Sequence, residues 1–338
     1  MCSLDRAHNL NTAAAEQGLY LLEDSIYGRV PWLQVIFLQM KRSALAIGAV
    51  LLLHQLSHAG PSSQPAGKWF ATDDADVILK DFATAPFPHP SRSNGWTNSA
   101  GTVFGPEKYR DSTVGIVIPK NFNPSDSVNL IVHFHGHSNY VANVLDTFHL
   151  ARGVAGSEKN AILIVPQGPR EAADSNFGKM EDAGGFEALV TDVVKFLHDE
   201  KKIPTTNIGN IVVTAHSGGY KATSAVCAVG GLSDHITDVL LFDASYGGLD
   251  RFADWISAPG KDRRLVSIFT AHLASANVQL MADLRKRDVK YDLVIDENLT
   301  PELLAPRRAI FIHTLDLKHD EVIEKRHYYA MFLATSRL

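Results

Sequence analysis

The stretch Asn210-Ile-Val-Val-Thr-Ala-His-Ser-Gly-Gly-Tyr220 narrows the possible folds more than any other in this chain. Ile211 to Thr214 is a short β-branched run, which predicts a buried strand. It breaks abruptly into Ala215-His216-Ser217-Gly218-Gly219. Tyr220 to Val229 then reads as a helix stopped at Gly230-Gly231. A strand, a sharp turn with a serine at its apex and a helix make a nucleophile elbow. The turn is so tight that the positions two before and two after the serine must be small. Here they are Ala215 and Gly219, so the motif is Ala-x-Ser-x-Gly where Gly-x-Ser-x-Gly is usual.

The rest of the chain repeats the same alternation. Residues 68–110 read as irregular, with one short strand near Val77-Ile-Leu79, and Pro86, Pro88 and Pro90 keep their middle extended. Strands are predicted at 112–119, in the long apolar run 128–136, and at 161–165, 239–242, 265–269 and 309–312. Phe186, Leu189, Val190, Val193, Val194 and Leu197 recur at helical spacing. Lys290 to Asp296 reads as an excursion, and a helix from about Asp320 to Phe332 closes the chain. Buried strands alternating with helices predict an α/β fold, a mostly parallel sheet covered on both faces. With 338 residues, 45% of them hydrophobic, there is ample core for one large domain.

In such a sheet the site lies at the carboxyl ends of the strands. There the sequence places His133-Phe-His-Gly-His-Ser138, Ser217, Asp243 and the segment His313 to Val322. On these four features, from about Ser112 to Leu338, the chain resembles the α/β-hydrolase superfamily. The resemblance implies that Ser217, Asp243 and His319, in that order, are nucleophile, acid and base. His135-Gly136 is similar to the oxyanion loop after the third strand, with the amides of Gly218 and His137 as the two donors. The chemistry needs each part. A serine hydroxyl is a weak nucleophile until a base takes its proton. A carboxylate holds the imidazole in one tautomer and stabilises its cation. Each donor to the oxyanion is worth about 2.7–4 kcal/mol of barrier. This set needs no cofactor and no metal.

Other readings stand beside it. Asp296 competes for the acid and His313 for the base, while His216 packs rather than reacts. His133, His135 and His137 alternate, so all three fall on one face of an extended strand. With His216 or His272 they offer neutral imidazoles to zinc, as in a metal-dependent hydrolase. A peptidase or amidase would use the same triad. A hydrolase-like binding protein without activity is the remaining alternative.

The termini and the charge bound the setting. Met40 to Leu53 has the parts of a secretory signal: Lys41 and Arg42, an apolar run, then Ser57-His-Ala59 before Gly60. The expected organisation is a gene-model extension or unstructured leader over 1–39 and a signal peptide over 40–59. A linker and edge-strand segment over 60–111 and a catalytic domain over 112–338 follow. A membrane anchor from Pro31 to Leu56 is the rival reading, opposed by Lys41 and Arg42 at its middle. The product is expected outside the cytoplasm, in the periplasm or beyond, touching a membrane only through an uncleaved signal. Cleavage after Ala59 removes Cys2 and leaves Cys227 unpaired. The net charge of -5, without a long basic block, points away from nucleic acid.

Substrate is the least legible property. About twenty residues separate Asp243 from the next strand, and Phe252, Trp255 and Ile256 among them suit a small lid or pocket wall. No large cap fits there. The Gly-rich loop 166–185 either rims the site or is plain surface. An open cleft suits a small-molecule or polymer ester outside the cell: an acylated sugar, a polyester or a lipid.

Overall fold

The computed structural model describes residues 67–338. The expected leader over 1–39, the expected signal peptide over 40–59 and residues 60–66 lie outside the described residues. Ten strands form one sheet. They are β1 (Phe70–Ala71), β2 (Ala75–Asp81), β5 (Thr113–Pro119), β6 (Val128–Phe134), β7 (Ala161–Pro166), β8 (Ile208–His216), β9 (Ile236–Phe242), β10 (Arg264–Phe269), β11 (Tyr291–Ile295) and β12 (Ala309–His313). A separate short hairpin pairs β3 (Trp96–Thr97) with β4 (Val103–Phe104).

The spatial order is β1-β2-β5-β7-β6-β8-β9-β10-β12-β11. Pairings from β7 to β11 are parallel, and those among β1, β2, β5 and β7 are antiparallel. This is the α/β-hydrolase fold, with the elbow strand β8 at the centre.

Side-chain alternation explains how the sheet is covered. Along β8, Ile211, Val213 and Ala215 face one core and Val212 the other. The first core is closed by α3 (Gly185–Asp199), α4 (Tyr220–Val229), α5 (Leu249–Ile256) and α6 (Ala274–Lys286). The second is closed by α1 (Val141–Thr147), α2 (Leu150–Gly156), α7 (Pro301–Leu304), α8 (Glu321–Glu324) and α9 (Tyr328–Ala334). In α3 the six residues at helical spacing are all buried. Burying a Val, Leu or Phe side chain contributes roughly 1.5–3 kcal/mol, so this face alone suffices to dock the helix.

Three expectations are corrected. Lys290 to Asp296 is no excursion: Tyr291–Ile295 pairs in parallel with β12. As an edge strand it is only half-covered, with Leu293 exposed, so it lacks the continuous apolar run of its neighbours. The closing helix is two helices. Arg326 and His327 take left-handed φ values of 56° and 55°, and Arg326 turns out to bind Asp296 and Asp316. Finally, Phe252, Trp255 and Ile256 do not form a lid. All three are buried in the first core, because α5 lies against α4 and α6 as a sheet-covering helix.

Among the described residues no helix is long and apolar enough to cross a membrane. Cys227 is buried in α4, and burial pushes its thiol up to about 12.

Candidate active site

The elbow is built by close backbone contact. Ser217 follows β8 with φ at 51°, a left-handed conformation that is uncommon outside glycine. A Cβ on Gly219 would lie 2.2 Å from the Phe134 carbonyl oxygen. A Cβ on Gly136 would lie 2.7 Å from Cβ of Ser217. The loop after β6 thus passes directly over the serine, and glycine is the residue that permits it. Ser217 itself is 9% exposed, so only a small part of it, including what a substrate can reach, faces outward.

Asp243 lies just beyond β9, fully buried, with φ at 46°. Its Oδ2 receives the Nδ1 proton of His319 at 2.7 Å. The carboxylate can only accept, so the other nitrogen, Nε2, is left free to act as a base. The Thr270 amide donates to Asp243 Oδ1 at 2.9 Å, and the Thr270 hydroxyl donates to Oδ2 at 3.0 Å. Burial pushes the Asp243 carboxyl up. The bonds from His319 and the Thr270 amide, with the charges of His272 and His319, outweigh that, and its pKa lies below the usual value. The hydrogen bond of the His319 ring runs to Asp243, and none joins it to Ser217 in this conformation. Such bonds often tighten only when substrate binds.

The rival acid and base are engaged elsewhere. Asp296 is buried and accepts from Arg326 and from the Tyr328 hydroxyl. His313, at the tip of β12, stacks on Phe269 with ring centroids 5.1 Å apart.

The three alternating histidines do not converge. Strand β6 ends at Phe134, and with it the alternation that would put them on one face. His133 reaches Thr214 at 2.8 Å and packs edge-on against Tyr329 in the second core. His135 turns toward Phe177, donates from Nδ1 to the Gly136 carbonyl, and accepts the Gly168 amide at Nε2. His137 meets the Ser175 hydroxyl at 2.8 Å. Burial lowers the pKa of all three rings, to about 4 for His135. They therefore form no common ligand set.

His216 is buried against Phe148, and its Nε2 lies 3.2 Å from the His319 carbonyl oxygen. Burial, then the neighbouring His319, lowers its pKa to about 4. Among the described residues, the groupings of three donors close enough for a metal are His216, His319 and Asp320, and Asp243, His272 and His319. Both share His319.

The two residues expected to carry the oxyanion donors lie against each other through the His137 side chain. A Cβ on Gly218 would sit 2.4 Å from the His137 ring. The His137 amide makes no backbone hydrogen bond among the described residues. The loop 166–185 borders this corner: Ser175 contacts His137, and Gln167 and Gly168 hold His135. Sequence reasoning missed Thr270 and the place of His272, whose Nδ1 lies 3.7 Å from Asp243 Oδ2. Thr270-Ala-His272 ends a predicted strand, which was a usable signal, but hydroxyls and imidazoles there carry no motif.

No family model matches the chain, and no curated protein matches it. Solved structures resemble it at low identity. A feruloyl esterase module from Clostridium thermocellum, an S954A mutant complexed with sinapinate, is 12% identical. That match covers 81% of this chain and 95% of the module, with a TM-score of 0.49. An S-formylglutathione hydrolase from Agrobacterium tumefaciens is 8% identical over 80% and 100%, with a TM-score of 0.44. A fluorophosphonate-binding serine hydrolase from Staphylococcus aureus is 10% identical over 76% and 99%, with a TM-score of 0.43. No residue role follows from likeness at this level.

Proposed function

We propose that the protein is a serine hydrolase that cleaves carboxylic esters through an acyl-enzyme. The observation that carries this reading is the 2.7 Å bond between His319 Nδ1 and buried Asp243, which follows the strand paired with β8, at whose end Ser217 sits on a left-handed turn. In the proposed reaction Ser217 attacks the ester carbonyl and His319 Nε2 takes its proton. The amides of Gly218 and His137 stabilise the oxyanion. The carbon–oxygen bond to the alcohol then breaks, and His319 returns the proton to the departing alkoxide. Water repeats the sequence to release the acid. Throughout, Asp243 stays ionised and steadies the imidazolium.

The metal-dependent alternative loses its support, because His133, His135 and His137 point to separate partners. For substrate we favour a small-molecule or polymer ester outside the cytoplasm. The signal-like segment 40–59 supports the location. The burial of α5 in the core supports an uncapped approach from that side, suited to bulky esters.

Fluorophosphonate labelling of the purified protein tests the reading. Label on Ser217, absent in Ser217→Ala and unchanged by EDTA, is the expected result. Hydrolysis that survives Ser217→Ala and stops with EDTA would instead restore a metal mechanism. N-terminal sequencing of exported protein is expected to begin near Gly60, and retention of 1–39 would refute the signal.

A further inference from the structure

Asp243 is the end point of two hydrogen-bonded histidine chains, of which the triad uses one. The second runs through Thr270, His272 and Tyr246. The Thr270 hydroxyl lies 3.0 Å from Asp243 Oδ2 and 2.6 Å from His272 Nδ1. On the far side of the ring, His272 Nε2 lies 2.7 Å from the Tyr246 hydroxyl. The two imidazoles of His272 and His319 are 5.6 Å apart and roughly perpendicular.

Tyr246 is placed at the reacting end. Its ring is 6.3 Å from that of His319, edge-on, and 5.8 Å from that of Tyr220, the residue that opens the elbow helix. The Ser217 side chain is a polar neighbour of its hydroxyl. Among the described residues Tyr246 is also one of the few large hydrophobic side chains open to solvent, at 44% exposure. Burial of the phenol and the charge of Asp243 push its pKa up to about 12, so at neutral pH it carries its proton.

The sheet order fixes the side on which Tyr246 stands. The loop bearing His137 follows β6, on one side of β8. Asp243 and Tyr246 follow β9, His272 follows β10 and His319 follows β12, all on the other side. Tyr246 therefore lies with the base and across the elbow from the expected His137 donor. That is where His319 would hand its proton to the leaving alkoxide.

We propose that Tyr246 is a further catalytic residue, donating a hydrogen bond to the alkoxy oxygen as the ester bond breaks, and that His272 is its positioning residue. This rests on the serine hydrolase reading above. When His272 carries its proton on Nε2 it donates to the phenol oxygen, and the phenol proton is free for substrate. In that tautomer the Thr270 hydroxyl proton turns from Asp243 Oδ2 to His272 Nδ1, and Asp243 keeps its bonds from the Thr270 amide and His319. As the intermediate collapses, the carbon–oxygen electron pair moves to the alkoxy oxygen. The proton comes from His319 Nε2, and Tyr246 supplies a hydrogen bond without losing its own proton. The chain favours esters of ordinary alcohols, whose alkoxides need this help most.

The test compares an alkyl ester with the p-nitrophenyl ester of the same acid. The p-nitrophenolate leaves without assistance. In Tyr246→Phe, kcat/KM for the alkyl ester is expected to fall about 10- to 100-fold, the loss of a hydrogen bond to a charged oxygen. The p-nitrophenyl ester should change by less than about threefold, with Tm preserved. His272→Ala should lower alkyl ester turnover in the wild-type background and add nothing to Tyr246→Phe, since it acts through that hydroxyl. Equal losses on both esters, no loss on either, or additive effects of the two substitutions would overturn the assignment. Fluorophosphonate labelling separates the two levels. Label retained in Tyr246→Phe leaves the triad intact, while a wild-type protein that does not label removes the underlying reading and this one with it.

Discussion

His319 and Asp243 are 76 positions apart in sequence and 2.7 Å apart in space. Two adjacent features of the fold bring them together. Asp243 leaves β9 in a left-handed turn that points its carboxylate across the tip of β10. His319 lies in the loop between β12 and α8, on the far side of that tip. The strand between them contributes Thr270, whose amide and hydroxyl hold the carboxylate in place. The acid thus serves the base from one strand further in than the tip it leans on.

That arrangement separates the proposed acid and base from their rivals. Ser217→Ala, Asp243→Asn and His319→Ala are each expected to reduce kcat by at least about 10³-fold. Tm should change little in Ser217→Ala and His319→Ala, and should fall in Asp243→Asn, because that buried carboxylate accepts from Thr270 and His319. His313→Ala should keep most activity, since His313 only stacks on Phe269. Asp296→Asn should act on stability, by about 1–3 kcal/mol, because Asp296 accepts from Arg326 and Tyr328. Ester hydrolysis assays paired with urea unfolding check all five. Activity lost in Asp296→Asn and kept in Asp243→Asn would reverse the assignment.

Thr270 is expected to matter by orienting the acid. Thr270→Val keeps the amide bond to Asp243 and removes the hydroxyl. One neutral donor to a held carboxylate predicts a fall in kcat of about three- to tenfold. Because the same hydroxyl contacts His272, the loss should be larger for an alkyl ester than for a p-nitrophenyl ester. Steady-state kinetics on both esters would show it, and unchanged turnover would remove Thr270 from the site.

The strands that carry the site were legible because they are buried on both faces. Ala161 to Val165 is a continuous apolar segment and Val128 to Phe134 a nearly continuous one, interrupted by Asn129 and His133. The elbow was legible for a steric reason: the Ser217 turn admits only small residues at its flanks, so the requirement is written in the chain. Tyr291 to Ile295 was not, because an edge strand is half-covered and its pattern is broken by exposed Leu293. The Phe252 to Ile256 segment misled because apolar residues fit a pocket wall or a core equally well. Only the position of α5 against α4 and α6 decides between them. The lateral contacts of Asp243 with Thr270, and through it with His272 and Tyr246, join residues from neighbouring strands. No local pattern encodes them.

Two glycines at the elbow should respond differently to one added methyl. In Gly219→Ala the new Cβ meets a backbone oxygen at 2.2 Å, which cannot move without shifting β6. The expected result is a loss of about 1–3 kcal/mol in stability, or poor folding. In Gly136→Ala the contact is the Cβ of Ser217 at 2.7 Å, at the end of a loop. Here the fold should survive, while displacement of the serine lowers kcat/KM by about 10- to 100-fold. Thermal melting and fluorophosphonate labelling rates distinguish the two. The same losses in both would show that the β6 loop and the strand are equally rigid.

Acid should weaken the fold well before the carboxylates titrate. His135 and His216 are buried, and burial lowers each pKa to about 4 from the ordinary 6.5, with His133 also well below it. The unfolded chain takes up protons at these histidines as pH falls below about 6.5, while the folded chain resists until about 4. Their contribution is therefore complete above about pH 6.5 and is lost between there and 4. Below that window Asp243, whose pKa is depressed in the fold, adds a further loss as it protonates. The geometry at His135 gives the cause: its Nε2 accepts the Gly168 amide, and a proton there would face a donor. Urea midpoints measured from pH 7 to 4.5 should fall steadily. In His135→Gln, which cannot gain a charge, the slope should be shallower even if stability at pH 7 is lower. A midpoint that stays flat across this range would mean that these rings take up protons equally in the folded and unfolded states.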